Sequence, residues 1–102
     1  MNFKRTALLA ASLLLFPFAI ANARADVWKN DPSIAVNRAY AFNYCTFQQG
    51  IVTEKEFFDN FNNYARQHLT ASQIHNLLDR KLSYSYIENS GGCYEMTAPL
   101  RR

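Results

Sequence analysis

The chain has 102 residues, and 11 lysines and arginines against 8 aspartates and glutamates give it a formal net charge of +3. Three of the basic side chains, Lys4, Arg5 and Arg24, lie before residue 26, which leaves eight basic and eight acidic side chains after them. The remainder is therefore formally neutral, and its charge gives no basis for nucleic-acid binding.

The N-terminal segment, residues 1–25, has the three-part layout of a secretory signal peptide. Two basic residues come first, residues 7–21 are apolar, and small-x-small sites end at Ala23 and Ala25. We expect cleavage after Ala25 and export to the periplasm or the medium. An uncleaved membrane anchor is the alternative, but Pro17 interrupts the apolar run, which is shorter than the roughly 20 residues that span a bilayer. Stable membrane insertion of the mature chain is not expected.

The mature chain, residues 26–102, is predicted to be a single small helical domain. Residues 26–30 are interpreted as an extended lead-in. Asp31 and Pro32 provide an N-cap and a first helical residue, and Gly50 provides the end of a helix over residues 33–49. That helix is apolar on most sides, which predicts a central position. Three small side chains on it permit the close approach of a neighbour: Ala35, Ala39 and Ala41.

A second helix, Thr53 to Leu69, has the clearest pattern in the chain. Thr53 and Glu56 form a capping box at its start. At 100° per residue, its apolar side chains fall within an arc of roughly 140°. We expect this face to be buried, and it consists of Phe57, Phe58, Phe61, Tyr64, Ala65, His68 and Leu69.

A third helix is predicted from the capping box of Thr70 and Gln73 to about Ile87. Residues 83–86 alternate like a strand, yet the mature chain offers no second strand candidate, so we assign them to the helix. Residues 89–92, Asn-Ser-Gly-Gly, form a stop signal. The fold class is therefore all-α, a small three-helix bundle that runs up, down and up.

The two cysteines, Cys45 and Cys93, are predicted to form one disulfide. An exported chain favours a disulfide, and the up-down-up topology brings the end of the first helix and the segment after the third to the same end. A redox pair or a metal site is the alternative. A redox pair normally has C-x-x-C spacing, and a zinc site needs about four closely spaced ligands.

No catalytic or metal-binding motif stands out. His68 and His75 lie on different predicted helices without nearby acidic or cysteine ligands except Asp79. Residues 59–63 resemble a calcium loop faintly, but Phe61 stands at position three of the loop, and no glycine or terminal glutamate follows at the required spacing. Ser72, His75 and Asp79 could form a hydrolytic site, although nothing indicates a nucleophile turn or an oxyanion hole. We expect no cofactor, no metal and no enzymatic activity.

The remaining feature is the aromatic content, since one Trp, five Phe and six Tyr follow residue 25. Some of these rings form a candidate binding surface, or alternatively the roof of a small core with their hydroxyl groups outward. The first hypothesis is a non-catalytic binding protein of the cell envelope, whose partner is a protein or another envelope component. The alternatives are a periplasmic holdase that opens under stress and a small secreted hydrolase. The candidate surface residues are Trp28, Tyr84, Tyr86 and Tyr94.

Overall fold

The computed structural model describes residues 25–101, so the predicted signal peptide lies outside the described residues apart from Ala25. This part of the chain is all-helical, as predicted, and contains no β-strand. None of its helices is long and apolar enough to cross a bilayer. Its elements are α1 Ala25–Asn30, α2 Pro32–Gln48, α3 Glu54–Ala65, α4 Ala71–Leu77, α5 Arg80–Asn89, α6 Cys93–Met96 and a 3₁₀ helix Ala98–Arg101.

Helix α2 lies at the centre of the fold and packs against each of the other α-helices. Val36, Ala41 and Cys45 are fully buried, although Val36 points to the opposite side of the helix from Ala41 and Cys45. Ala35 and Ala39 are also buried, so the small side chains lie where neighbouring helices come close. The central position predicted from an apolar pattern on most sides is confirmed.

Both ends of α2 lie where the sequence places them. Asp31 is the N-cap residue and a proline follows it, but the Asp31 side chain makes no capping hydrogen bond. At the other end Gly50 has a φ of +74°, a conformation that strains residues with a side chain. The N–H of Gly50 donates to the Phe47 carbonyl at 2.9 Å. The N–H of Ile51 donates to the Thr46 carbonyl at 2.9 Å, which completes a Schellman motif.

Helix α3 begins with the predicted capping box. The Thr53 hydroxyl accepts from the Glu56 N–H at 3.1 Å, and the Glu56 carboxylate accepts from the Thr53 N–H at 2.8 Å. Phe57 and Phe61 are buried as expected, but Phe58 is 37% exposed, which corrects the prediction of a fully buried face. The reason is its angle, since Phe58 lies 100° around the helix from Phe57, at the edge of the apolar arc. The helix ends at Ala65, and turns follow it.

The predicted third helix, residues 70–87, is two helices. The capping box of Thr70 and Gln73 begins α4 as predicted. The backbone then becomes extended at Leu78, with a ψ of 123°, before α5 begins. Residues 83–86, which resemble a strand by alternation, are helical within α5.

A buried asparagine of α2 contacts both sides of the break between α4 and α5. Asn37 is 0% exposed. Its Nδ2 donates to the carbonyls of Ser33 at 2.8 Å and Leu77 at 3.1 Å. Its Oδ1 accepts from the N–H of Asp79 at 2.8 Å and from the Ser83 hydroxyl at 2.9 Å. Both donor hydrogens and both acceptor positions of the amide are used, so this side chain fixes the break against α2.

The start of the described chain also differs from the prediction. Residues 26–30, expected to be extended, belong to α1. This helix packs against α2 and places the Trp28 indole in the core, with Val27 packed beside it. Burial of a large aromatic side chain stabilises the short helix, which its local sequence does not predict.

The predicted disulfide is confirmed. Cys45 and Cys93 are joined by an S–S bond of 2.04 Å, and no free cysteine occurs in the described chain. Because Cys45 lies on α2 and Cys93 begins α6, the bond holds the C-terminal segment against the central helix.

Candidate binding surface

Trp28 does not contribute to an exposed surface, because it is only 5% exposed. Its indole stacks on the His68 ring, with centroids 4.7 Å apart and an angle of 12° between the planes. It also meets the edge of the Tyr64 ring at 5.4 Å. Trp28 is therefore an anchor of α1 and lies apart from the other predicted surface residues.

Tyr86 and Tyr94 each carry an arginine over their ring. The Arg38 guanidinium lies 5.3 Å from the Tyr86 centroid, and the Arg101 guanidinium lies 3.5 Å from the Tyr94 centroid. Both distances are within the range of cation–π attraction. Tyr94 is the most exposed large hydrophobic residue of the described chain, at 59%, but a charged group covers one face of its ring.

Tyr84 has an aromatic neighbour in place of a charged one. It is 41% exposed, and its ring lies 5.3 Å from that of Tyr44 on α2. Tyr44 in turn lies 6.4 Å from Phe47 one turn further along α2. The structure thus joins Tyr84 to rings that the sequence does not select as surface residues.

The same row of rings extends onto α3. Phe47 is parallel to the buried Phe57 at a centroid distance of 6.0 Å, and Phe57 lies 4.5 Å from the exposed Phe58. These distances are typical of attractive aromatic pairs. We define the aromatic ridge as the four partly exposed rings in this row, which come from three helices: Tyr44, Phe47, Phe58 and Tyr84.

The ridge rests on a buried base. Tyr40 is buried one turn before Tyr44 on α2, and edge-to-face contacts of 5.3 Å join its ring to both Phe57 and Phe61. Burial raises the pKa of the Tyr40 hydroxyl, and the nearby positive charge of Arg80 partly opposes that rise. The Tyr40 phenol is therefore neutral at physiological pH. A closely packed base restricts movement of the rings above it.

Polar groups lie beside the ridge. Gln48 Nε2 donates to the Tyr44 hydroxyl at 3.0 Å. On α3, Lys55 and Asp59 form an exposed ion pair of 2.6 Å in the turn that also carries Phe58. Apolar rings with a polar surround are the usual composition of a protein interface.

Two patterns in the sequence could have indicated the ridge. Tyr40, Tyr44 and Phe47 follow the i, i+4, i+7 spacing of one helix face. Phe57 and Phe58 are adjacent, and two adjacent residues of a helix cannot both point to the centre of the same core face. The contact between Tyr44 and Tyr84 joins positions that are distant in the sequence, and no local pattern predicts it.

The other candidate sites are placed as follows. Ser72 and His75 are exposed on α4, and the Asp79 carboxylate accepts hydrogen bonds from backbone N–H groups at the start of α5. His68 contacts the buried Trp28. Within residues 25–101, no group of three His, Cys, Asp or Glu side chains is arranged to hold a metal ion.

No protein-family model, curated protein or solved structure matches this chain.

Proposed function

We propose that this chain is a non-catalytic binding protein of the cell envelope and that a partner protein docks on the aromatic ridge. The observation that carries the proposal is a chain of ring contacts across three helices, which passes through the buried Phe57 and ends at Phe58, 37% exposed, and Tyr84, 41% exposed. Exposed aromatic rings with a polar surround are typical of interaction sites.

The composition of the ridge favours a protein as the partner. Aromatic residues are enriched at the centres of interfaces and among the residues that carry most binding energy. The rings lie on helices over a packed base, so little conformational freedom is lost when they are covered. The hydroxyl groups of Tyr44 and Tyr84 can also provide directed hydrogen bonds that fix the orientation of a partner.

The cell envelope follows from export, which is also a proposal. The segment before residue 26 has the layout of a signal peptide, and the Cys45–Cys93 bond is of a type that persists in oxidising compartments. We propose that the mature domain, residues 26–102, has three main helices that run up, down and up. These are α2, α3 and α5, and the shorter helices pack around α2.

The test is site-specific photo-crosslinking in the producing cell. A photoreactive phenylalanine analogue in place of Phe58 is expected to give a discrete covalent adduct with an envelope protein. The same analogue in place of Tyr94 is the matched control, because Tyr94 is more exposed but lies outside the ridge. Combining the Phe58 probe with Tyr84→Ala is expected to lower the adduct yield about tenfold, the effect of a loss of about 1.4 kcal/mol in binding.

The control for folding is the helical circular dichroism and the disulfide of the Tyr84→Ala variant, which should both be retained. An adduct from position 94 but not from position 58 would contradict the ridge as the binding surface. Loss of the fold in Tyr84→Ala would show that Tyr84 belongs to the core.

A further inference from the structure

His68 carries a buried nitrogen without a hydrogen-bond partner. Its Nε2 is inaccessible to solvent. Among the buried side-chain nitrogen and oxygen atoms of the described residues, this atom is the one without a hydrogen-bond partner. A buried polar atom without a partner is uncommon in proteins and calls for an explanation. Nothing in the proposed binding function uses this group.

The His68 ring is part of a three-ring contact that anchors α1. Trp28 stacks on it at 4.7 Å, Tyr64 meets it edge-on at 5.6 Å, and Trp28 and Tyr64 are themselves 5.4 Å apart. Trp28 comes from α1, Tyr64 from α3, and His68 from the turn after α3. The contact therefore fastens a six-residue helix to the body of the protein.

A single residue separates α1 from α2 and could act as a hinge. Asp31 belongs to neither helix, with a φ of −146° and a ψ of 71°. Its N–H donates to the Val27 carbonyl at 2.7 Å, which closes the last turn of α1. A change at this one residue would swing α1 while leaving α2 in place, since hinges of this kind absorb motion at a few positions between elements.

The surroundings of His68 favour its neutral form. The titratable group in contact with its ring is Tyr64, whose hydroxyl has a pKa that burial raises, so Tyr64 is uncharged at and below neutral pH. The following charged or titratable side chains of the adjacent helices and the segments between them are exposed to solvent: Lys29, Asp31, Arg38, Glu54, Lys55, Glu56, Asp59, Arg66 and His75. Asp26 is the other charged residue of α1. Burial lowers the pKa of His68 below its ordinary value of 6.5.

We propose that the docking of α1 is acid-sensitive, with His68 as the group whose protonation releases Trp28 from the core. A proton on His68 would place a charge on a ring whose buried nitrogen has no acceptor within reach, and moving α1 away would let water hydrate it. Release would uncover the apolar surface that Trp28 and Tyr64 now form. This inference does not rest on the proposed binding function, although exposure of an apolar face in acid is also what the holdase hypothesis requires.

The direction of the pH dependence follows from the lowered pKa. When α1 is undocked, His68 titrates near 6.5, and when α1 is docked it binds a proton less readily. The docked state therefore has its full stability above about pH 6.5, and it loses that stability as the pH falls through the lower pKa of the docked form. A competing effect is the attraction of an imidazolium for the indole face. If that attraction were larger than the cost of burying the charge, protonation of His68 would stabilise the docked position of Trp28.

Trp28 is the sole tryptophan of the chain, so its fluorescence reports directly on this contact. We would record the emission spectrum of the exported, disulfide-bonded protein from about pH 8 to about pH 4.5, where histidine titrates. The expected result is a shift to longer wavelength in acid, with a midpoint below that of a free histidine and with most helical circular dichroism retained. His68→Phe, which keeps an aromatic ring without a titrating group, should abolish the shift.

His75→Phe is the matched control and should keep the shift, since His75 is exposed on the adjacent helix. Loss of the shift in Asp26→Asn would assign the titration to that carboxylate and overturn the proposal. Persistence of the shift in His68→Phe would overturn the proposal, as would its absence in the unmodified protein. If His68→Phe does not fold, NMR titration of the two histidines of the unmodified protein decides the matter. A pKa for His68 below the ordinary histidine value of 6.5 supports the proposal, and one above that value overturns it.

Discussion

At the scale of single residues, the side chain with the most consequences for the fold is Asn37. It makes four hydrogen bonds in a fully buried position, and three of them are to groups in α5 or next to the break before it. A buried donor or acceptor that loses its partner costs about 1–3 kcal/mol. Asn37 is the partner of one buried group, the Ser83 hydroxyl, and of two partly buried groups at the break between α4 and α5.

We therefore predict that Asn37→Ala lowers the free energy of unfolding by about 2–4 kcal/mol, because the buried Ser83 hydroxyl and the partly buried Leu77 carbonyl and Asp79 N–H lose their partner. Urea unfolding monitored by circular dichroism measures the change. Asn63→Ala is the matched control, an exposed asparagine in a helix, and should alter stability by less than about 0.5 kcal/mol. Equal effects of the two substitutions would show that the Asn37 hydrogen bonds contribute little to the free energy of unfolding.

The sequence does not predict the burial of a residue whose contacts are with residues far away along the chain. Asn37 interrupts an apolar pattern and gives no sign that it is buried, because its partners belong to α4, α5 and the break between them. For the same reason the sequence leaves Trp28 between a candidate binding surface and the roof of the core, since its neighbours Tyr64 and His68 belong to a distant part of the sequence. Phe58 is expected in the core because a helical pattern defines the direction of a side chain and not the width of the surface that covers it.

At the scale of elements, the sequence predicts helix starts well where a cap is local. The two capping boxes are present at the predicted residues, and Gly50 ends α2. The break at Leu78 is not predicted, because Asp79, with Arg80 and Lys81, fits the solvated side of a longer helix. In the structure the Asp79 carboxylate accepts from the N–H groups of Lys81 at 3.0 Å and Leu82 at 3.3 Å. Aspartate is a strong N-cap residue, so the start of a further helix after Asp79 could have been predicted from the sequence.

We predict that Asp79→Ala lowers the free energy of unfolding by about 1 kcal/mol, because two N–H groups in the first turn of α5 lose their acceptor. Asp79→Asn should retain most of the stability, since asparagine is an equally good N-cap. The comparison separates capping from charge and can be made by urea unfolding of both variants. A loss as large in Asp79→Asn as in Asp79→Ala would assign the effect to the charge.

At the scale of the whole molecule, stability depends on the link between α2 and the C-terminal segment. The disulfide joins positions with a sequence separation of 48. On the chain-entropy model a loop of this length stabilises the folded state by about 4 kcal/mol. The free energy of unfolding of ordinary domains is about 5–15 kcal/mol, so this bond provides a large share for a small helical chain. The sequence could predict this disulfide because the chain has two cysteines and an up-down-up order of helices places them at the same end.

We predict that replacing both cysteines, Cys45→Ala with Cys93→Ala, lowers the free energy of unfolding by about 4 kcal/mol. Urea unfolding of the oxidised protein and of the double variant measures the difference. Intact mass after thiol blocking first establishes that the oxidised protein has no free thiol. A reductant should destabilise the unmodified protein and leave the double variant unchanged, which separates loss of the cross-link from the cavity left by the buried Cys45 sulfur. If reduction does not change the urea concentration at the midpoint of unfolding, the core around α2 holds the C-terminal segment without the disulfide.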